Sequence, residues 1–102
     1  MKHRIALVTG SNRGIGYATV QELLKKGYRV IMTARKEADG AKSLSELEKY
    51  GDVRFHPLDV SDPESIYRLA RYIESTFGHL DILINNAGIN YDTWQSATSA
   101  DL

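Results

Sequence analysis

A glycine-rich turn, residues 9–16 (TGSNRGIG), separates an apolar strand pattern from a helix pattern and restricts what this chain can fold into. The apolar run Ile5–Val8 predicts a short buried strand before the turn. Backbone N–H groups in such a turn, together with the positive end of the helix dipole, bind phosphate oxygens. We expect Gly10 to turn the chain off the strand, Gly14 to let a phosphate approach the backbone, and Gly16 to let the helix pack closely against the sheet.

Strand and helix patterns alternate along the rest of the chain. Further strands are predicted over 29–33, Val53–Pro57 and 82–85. Three helices are predicted: the first runs from Gly14 to near Gly27, the second passes through Leu44, Leu47 and Tyr50 and closes at Gly51, and the third runs from Ser61 to Gly78. We expect Ser61 to cap the third helix, with Pro63 in its first turn and Glu64 completing a capping box. The alternation predicts an α/β fold, the first half of a Rossmann-type doubly wound parallel sheet with strand order 3-2-1-4.

Composition limits the class of protein. A length of 102 residues allows one small domain, and 42% hydrophobic with 25% charged residues is typical of a folded chain. Lys+Arg and Asp+Glu are both 13, so net charge favours neither nucleic acid nor an anionic membrane as partner. The chain has no cysteine, which excludes disulfides and a cysteine nucleophile, and its histidines lack metal-ligand spacing.

The amino end is basic, but the apolar run behind it is short. A signal peptide needs about 7–15 apolar residues and a membrane span about 18 or more. Residues 5–8 are followed at once by Thr9 and Gly10. We therefore expect a cytoplasmic protein.

A second motif, residues 85–88 (NNAG), follows the apolar run Ile82–Ile84. Together with the glycine-rich turn it resembles the short-chain dehydrogenase/reductase family. The segments 33–35 (TAR) and 54–60 (RFHPLDV) are most similar to the NADPH-dependent carbonyl reductases of that family. The resemblance extends over the whole chain and implies an oxidoreductase that reduces a carbonyl group by hydride transfer from NADPH.

The residues after the second strand indicate which dinucleotide is bound. An NAD-preferring domain usually has Asp or Glu there, whereas this chain has Ala34, Arg35 and Lys36. A carboxylate would repel a 2′-phosphate, while the planar fork of Arg35 can bind one bidentately. Arg13 in the turn is placed to reach the same phosphate, so we predict NADP(H). Alternatively, Arg35 and Lys36 are solvated surface cations, partly neutralised by Glu37.

The resemblance implies further roles. Asp59 would accept from the adenine amino group and the Val60 N–H would contact the ring, although a turn aspartate is the alternative. Residues 86–88 would pass beside the ribose and nicotinamide, and Asn85 would tie neighbouring strands through its amide; a plain strand-to-loop turn is the alternative. The expected NADP(H) site comprises Gly10, Ser11, Asn12, Arg13, Gly14, Ile15, Gly16, Arg35, Leu58, Asp59, Val60, Asn86, Ala87 and Gly88.

The family's acid–base residues have no counterpart in this chain. The family uses a tyrosine with a lysine four residues later, but the residues four positions after Tyr17, Tyr28, Tyr50, Tyr67, Tyr72 and Tyr91 are Gln, Met, Arg, Arg, Thr and Gln. Residues 1–102 are therefore expected to be an NADP(H)-binding half-domain, truncated before its catalytic half and inactive alone.

Other interpretations stay open. The chain can be a non-catalytic NADP-binding module, a family member with another substrate such as a hydroxysteroid, sugar or acyl-carrier ketone, a dehydrogenase, or an interaction protein. If it is a fragment, the fourth strand, with Ile82, Leu83 and Ile84, is an edge that invites pairing with a second copy.

Overall fold

The computed structural model describes residues 4–86 as a four-stranded parallel sheet with helices on both faces. Its elements are β1 (Ile5–Val8), α1 (Gly14–Lys25), β2 (Arg29–Ala34), α2 (Glu37–Leu47), a 3-10 turn (Glu48–Tyr50), β3 (Val53–Pro57), α3 (Pro63–Thr76) and β4 (Ile82–Ile84). The strand order is β3-β2-β1-β4, which confirms the predicted order.

The sheet carries one hydrophobic core on each face, because successive side chains of a strand point to opposite sides. On one face, Val8 and Val30 pack with Val20 and Leu24 of α1 and with Leu47 of α2. On the other face, Ile5, Leu7 and Ile31 pack with Leu58 and with Leu69 and Ile73 of α3. All four residues of β1 are buried, as expected for a strand covered on both faces. No helix within residues 4–86 has the length and apolar character that crossing a membrane would require.

The predicted cap of α3 is wrong by one residue. Asp62 is the N-cap, and its Oδ1 accepts from the Glu64 N–H at 3.0 Å. Ser61 does not cap the helix, because its hydroxyl donates to Oδ1 of Asp59 at 2.6 Å. A nearby carboxylate is the stronger acceptor for that hydroxyl, and an Asp is as good an N-cap as a Ser. Pro63 does occupy the first turn.

Three other element ends differ slightly from prediction. β2 extends one residue further, to Ala34, and the second helix ends at Leu47, with its last predicted turn in 3-10 geometry, a common form of helix end. β4 ends at Ile84, and the side chain of the next residue, Asn85, accepts a hydrogen bond from Thr9. The helix start expected in the region 96–102 lies outside the described residues.

All four strands run in the same direction, so their carboxyl ends lie at one edge of the sheet. That edge leads into the glycine-rich turn after β1, Arg35 after β2, Leu58 after β3 and Asn85 after β4. In open α/β sheets this edge is where ligands bind.

Candidate functional site

An open cleft of about 1010 Å³ lies at the carboxyl edge of the sheet. Its walls bring together most of the residues predicted for the NADP(H) site. The predicted residues that line it are Gly10, Asn12, Arg13, Gly14, Ile15, Arg35, Leu58, Asp59, Val60 and Asn86. Ser11 and Gly16 lie outside its lining, and Ala87 and Gly88 lie outside the described residues.

The glycine-rich turn is anchored on the end of β2. Gly10 and Gly14 have φ angles of +59° and +64°, which favour glycine at both positions. The N–H of Gly10 donates to Oγ1 of Thr33 at 3.1 Å, and the N–H of Ser11 donates to the Thr33 carbonyl at 2.9 Å. The turn is therefore held by β2 as well as by its own strand.

Ser11 supports the turn from beneath instead of lining the cleft. Its side chain is fully buried. Its hydroxyl donates to the carbonyl of Val8 at 2.8 Å and accepts from the N–H of Thr33 at 3.1 Å. Those two bonds turn the hydroxyl towards the strands and away from the cleft, and a role of Ser11 in cofactor binding stays a prediction.

Gly16 packs closely, as predicted, but mainly against the turn and the end of β4. A Cβ at this position would lie 2.6 Å from the Gly10 carbonyl oxygen, 2.8 Å from Nδ2 of Asn86 and 2.8 Å from Cα of Ser11. Such contacts are shorter than any real Cβ makes, so glycine lets α1 start this close to the turn.

The amino end of α1 is open and positively charged. Arg13 is the N-cap residue in extended conformation; no side chain caps the helix, and its first turn has no acidic residue. By contrast, α3 caps itself with Asp62. Within residues 4–86, Arg13 and Arg35 form no ion pair, and both line the cleft. Uncapped N–H groups, the helix dipole and two guanidinium groups together favour an anion at this end of the cleft.

Helix α2 adds a wall that the sequence reasoning missed. Asp39, Lys42 and Glu46 line the cleft from one face of this helix. Ser43 on the same face is buried, and its hydroxyl donates to the carbonyl of Asn12 at 2.5 Å. The sequence did contain a signal for this wall: the polar residues 39, 42, 43 and 46 follow Arg35 at helical spacing, which places them on one face of the helix.

Asp59 is fixed at the end of β3. Its Oδ1 accepts from the hydroxyl of Ser61 at 2.6 Å and from the Ser61 N–H at 3.0 Å. These bonds, first from the hydroxyl and then from the backbone, lower the pKa of Asp59 below its ordinary 3.8, and the charge of Arg35 acts in the same direction. The carboxylate is therefore ionised at neutral pH.

The end of β4 is tied to the end of β1. Oγ1 of Thr9 donates to Oδ1 of Asn85 at 3.0 Å and accepts from the N–H of Asn86 at 2.8 Å. The prediction that the Asn85 amide ties neighbouring strands is confirmed. Thr9 was the partner that the sequence reasoning missed. Nδ2 of Asn86 donates to the carbonyl of Gly10 at 3.1 Å, so Asn86 lines the cleft while bracing the turn.

Within the described part of the chain, no group of three or more His, Asp or Glu side chains is arranged to hold a metal ion. The polar groups of the cleft are backbone N–H donors, guanidinium groups and one fixed carboxylate. That donor set favours an anionic ligand.

The profile of the short chain dehydrogenase family matches residues 4–101. The chain belongs to this family. It is 46% identical over 91 residues to (+)-neomenthol dehydrogenase of Arabidopsis thaliana, an alignment that covers 84% of this chain and 31% of that protein. It is 44% identical over 90 residues to carbonyl reductase [NADPH] 3 of Mus musculus, covering 86% and 32%. The chain thus spans about a third of the length of these curated relatives.

Solved structures agree with this assignment. Menthone neomenthol reductase from Mentha piperita superposes with a TM-score of 0.82 at 36% identity, covering 99% of this chain and 39% of that one. RhlG of Pseudomonas aeruginosa, solved as an NADP active-site complex, superposes with a TM-score of 0.81 at 43% identity, covering 86% and 34%.

Proposed function

We propose that this chain binds NADP(H) and forms the cofactor-binding half of a reductase that transfers hydride from NADPH to a carbonyl group. The observation that carries the proposal is the single cleft that the turn, Arg13, Arg35 and Asp59 share. Mouse carbonyl reductase [NADPH] 3 and the NADP complex of RhlG support it, because both relatives are named with this dinucleotide.

Each part of the cleft fits one part of the dinucleotide. The N–H groups of the turn and of the first turn of α1 would hold the pyrophosphate. Arg13 and Arg35 would bind the 2′-phosphate, since guanidinium groups pair well with phosphate oxygens. Asp59 and the Val60 N–H would contact the adenine edge.

When bound, NADPH supplies the hydride. This chain's contribution is to bind and orient the dinucleotide on a rigid sheet edge. The chain has no tyrosine followed four positions later by lysine, so we assign no catalytic residue within it. A donor that protonates the carbonyl oxygen has to come from outside these residues, and we expect the chain alone to be inactive.

Cofactor selectivity tests the binding part of the proposal. The protein is titrated with NADPH and with NADH by fluorescence or calorimetry. We expect tighter binding of NADPH, and we expect Arg35→Gln to weaken NADPH binding about tenfold while leaving NADH nearly unchanged. The matched control is Lys36→Gln, an exposed neighbour outside the cleft lining. Equal affinity for both dinucleotides in the parent protein would contradict the proposal.

A second candidate is a non-catalytic NADP-binding module. The missing tyrosine–lysine pair favours it for the chain in isolation. The purified chain is tested for oxidation of NADPH with a dicarbonyl or quinone against a protein-free blank. Oxidation above the blank would exclude a non-catalytic module and would contradict the expected inactivity of the chain alone. Binding without turnover agrees with both candidates, because the first also expects the chain alone to be inactive.

Self-association through β4 stays a prediction. Within residues 4–86, β4 is an edge strand, with Leu83 58% exposed. An exposed edge with apolar side chains pairs readily with another chain. If the chain exists as a fragment, light scattering should give at least a dimer; a monomer at high concentration would exclude the pairing.

A further inference from the structure

Asp59 is held by four hydrogen bonds, none of which reaches its second carboxylate oxygen, Oδ2. Its N–H donates to Oγ of Ser65 at 2.9 Å, and its carbonyl accepts from the N–H of Asp62 at 3.0 Å. Both Ser61 hydrogen bonds, at 2.6 and 3.0 Å, reach the same oxygen, Oδ1. Within residues 4–86, Oδ2 accepts no hydrogen bond.

The residue with the free oxygen is followed in the chain by one with a free donor. The N–H of Val60 makes no hydrogen bond to any group in residues 4–86, and Asp59, Val60 and Ser61 all line the cleft. An acceptor next to a donor is complementary to a 6-aminopurine, whose amino group donates and whose N1 accepts. A 6-oxopurine presents the reverse pattern, with an acceptor at O6 and a donor at N1.

We propose that Ser61 is a positioning residue that holds the Asp59 carboxylate in the orientation that selects a 6-aminopurine over a 6-oxopurine. The inference rests on the proposed function, because it concerns the base of the same dinucleotide. A carboxylate free to rotate can follow the N1–H of a 6-oxopurine and accept from it. A carboxylate whose Oδ1 is held twice by Ser61 cannot, so its Oδ2 meets O6 and repels it.

The experiment compares binding of NADPH with binding of deaminated NADPH, which carries hypoxanthine in place of adenine. The measured quantity is the ratio of the two dissociation constants. We expect the parent protein to prefer NADPH about tenfold or more. Ser61→Ala should lower that ratio about threefold or more, mainly by relative gain of the deaminated ligand. Ser61→Thr keeps a hydroxyl and should retain the parent ratio.

Two further variants separate positioning from general stability. Ser75→Ala removes an exposed hydroxyl on α3, bonded only to carbonyls of its own helix, and should leave the ratio unchanged. Asp59→Asn should lower the ratio without touching Ser61, and adding Ser61→Ala to it should then change little, because the two residues act through one carboxylate. If Ser61→Ala folds poorly, Ser61→Cys decides the matter: it keeps a side chain of similar size but only a weak donor, and it should lower the ratio in the same direction.

The outcomes distinguish the inference from the function beneath it. Equal weakening of both ligands by Ser61→Ala, or an unchanged ratio, would overturn the positioning role while leaving NADP(H) binding intact. A ratio of the two dissociation constants near one in the parent protein would also overturn the positioning role and leave NADP(H) binding intact. A folded parent protein that binds neither ligand would overturn the proposed function and this inference with it.

Discussion

The side-chain amide of Asn86 donates to the carbonyl oxygen of Gly10 across 3.1 Å and so joins the end of β4 to the glycine-rich turn. A Cβ at Gly16 would lie only 2.6 and 2.8 Å from these same two groups, the Gly10 carbonyl oxygen and Nδ2 of Asn86. One small region therefore fixes the turn, the start of α1 and the exit of β4 at once. Any side chain at position 16 has to push these three elements apart.

Gly16→Ala should consequently destabilise the protein and weaken NADPH binding together. Its Cβ would sit 2.6 Å from a backbone oxygen, which cannot move aside as a flexible side chain can. Overpacking of this kind costs about 1–3 kcal/mol, measurable by urea unfolding. The matched control is Gly78→Ala, at φ +80° with open space around its Cβ. It should lose about 1–2 kcal/mol by backbone strain alone and keep its NADPH affinity.

Ser43→Ala tests the bridge from α2 to the turn. Removing the hydroxyl leaves the Asn12 carbonyl without its donor at 2.5 Å. We expect a loss of about 0.5–1.5 kcal/mol in unfolding free energy, and weaker NADPH binding because the turn loses one of its anchors. Ser45→Ala, on the exposed face of the same helix, is the control and should change neither quantity. Unchanged NADPH affinity in Ser43→Ala would mean that α2 does not help to shape the turn.

Much of the fold was predictable because it depends on local patterns. Short apolar runs alternating with amphipathic segments required a parallel sheet, and the right-handed crossover rule left few strand orders. The carboxyl ends of parallel strands share one edge, so the turn, Arg35, Asp59 and Asn86 had to meet there. The sharp turn expected at Gly10 is likewise found, with a left-handed backbone at both Gly10 and Gly14.

The parts that escaped prediction depend on contacts between distant segments. The Ser43–Asn12 bond exists only because of how α2 docks, and Gly40 is required because its Cβ would strike the ring of Phe55 on β3. At the start of α3, the polar side chains of residues 59, 61 and 62 compete for neighbouring donors. Local propensity treats Ser61 and Asp62 as near-equal caps, and the Asp59 carboxylate decides between them.

Asp39→Asn should tighten NADPH binding. Asp39 lines the same cleft as Arg13 and Arg35, so its negative charge opposes a phosphate held there. We expect a gain of about two- to fivefold for NADPH, little change for NADH, and a smaller gain at high salt because the charges are solvent-accessible. Glu37→Gln is the matched control, since Glu37 is also in the first turn of α2 but outside the cleft lining. Equal gains in both variants would point to overall charge instead of a local effect.

Asp81 should make the stability of the sheet sensitive to acid. Its Oδ2 accepts from the N–H of Ile5 at 2.7 Å, at the start of β1, and lies 3.1 Å from Nε2 of His79. The Ile5 N–H first, and His79 second, lower the pKa of Asp81 below its ordinary 3.8. A lowered folded-state pKa means that this stabilisation is complete above 3.8 and is lost as the pH falls through the lower, folded value.

Asp81→Asn keeps an oxygen acceptor for Ile5 but removes the titrating group. Its urea midpoint should therefore fall less than that of the parent protein between about pH 5 and pH 3. The control is Glu74→Gln, which removes an exposed carboxylate on α3. Its plot of urea midpoint against pH should run parallel to that of the parent protein. If the Asp81→Asn curve were also parallel, the acid sensitivity would have to arise from other carboxylates, and the Asp81–Ile5 bond would be structural without being linked to pH.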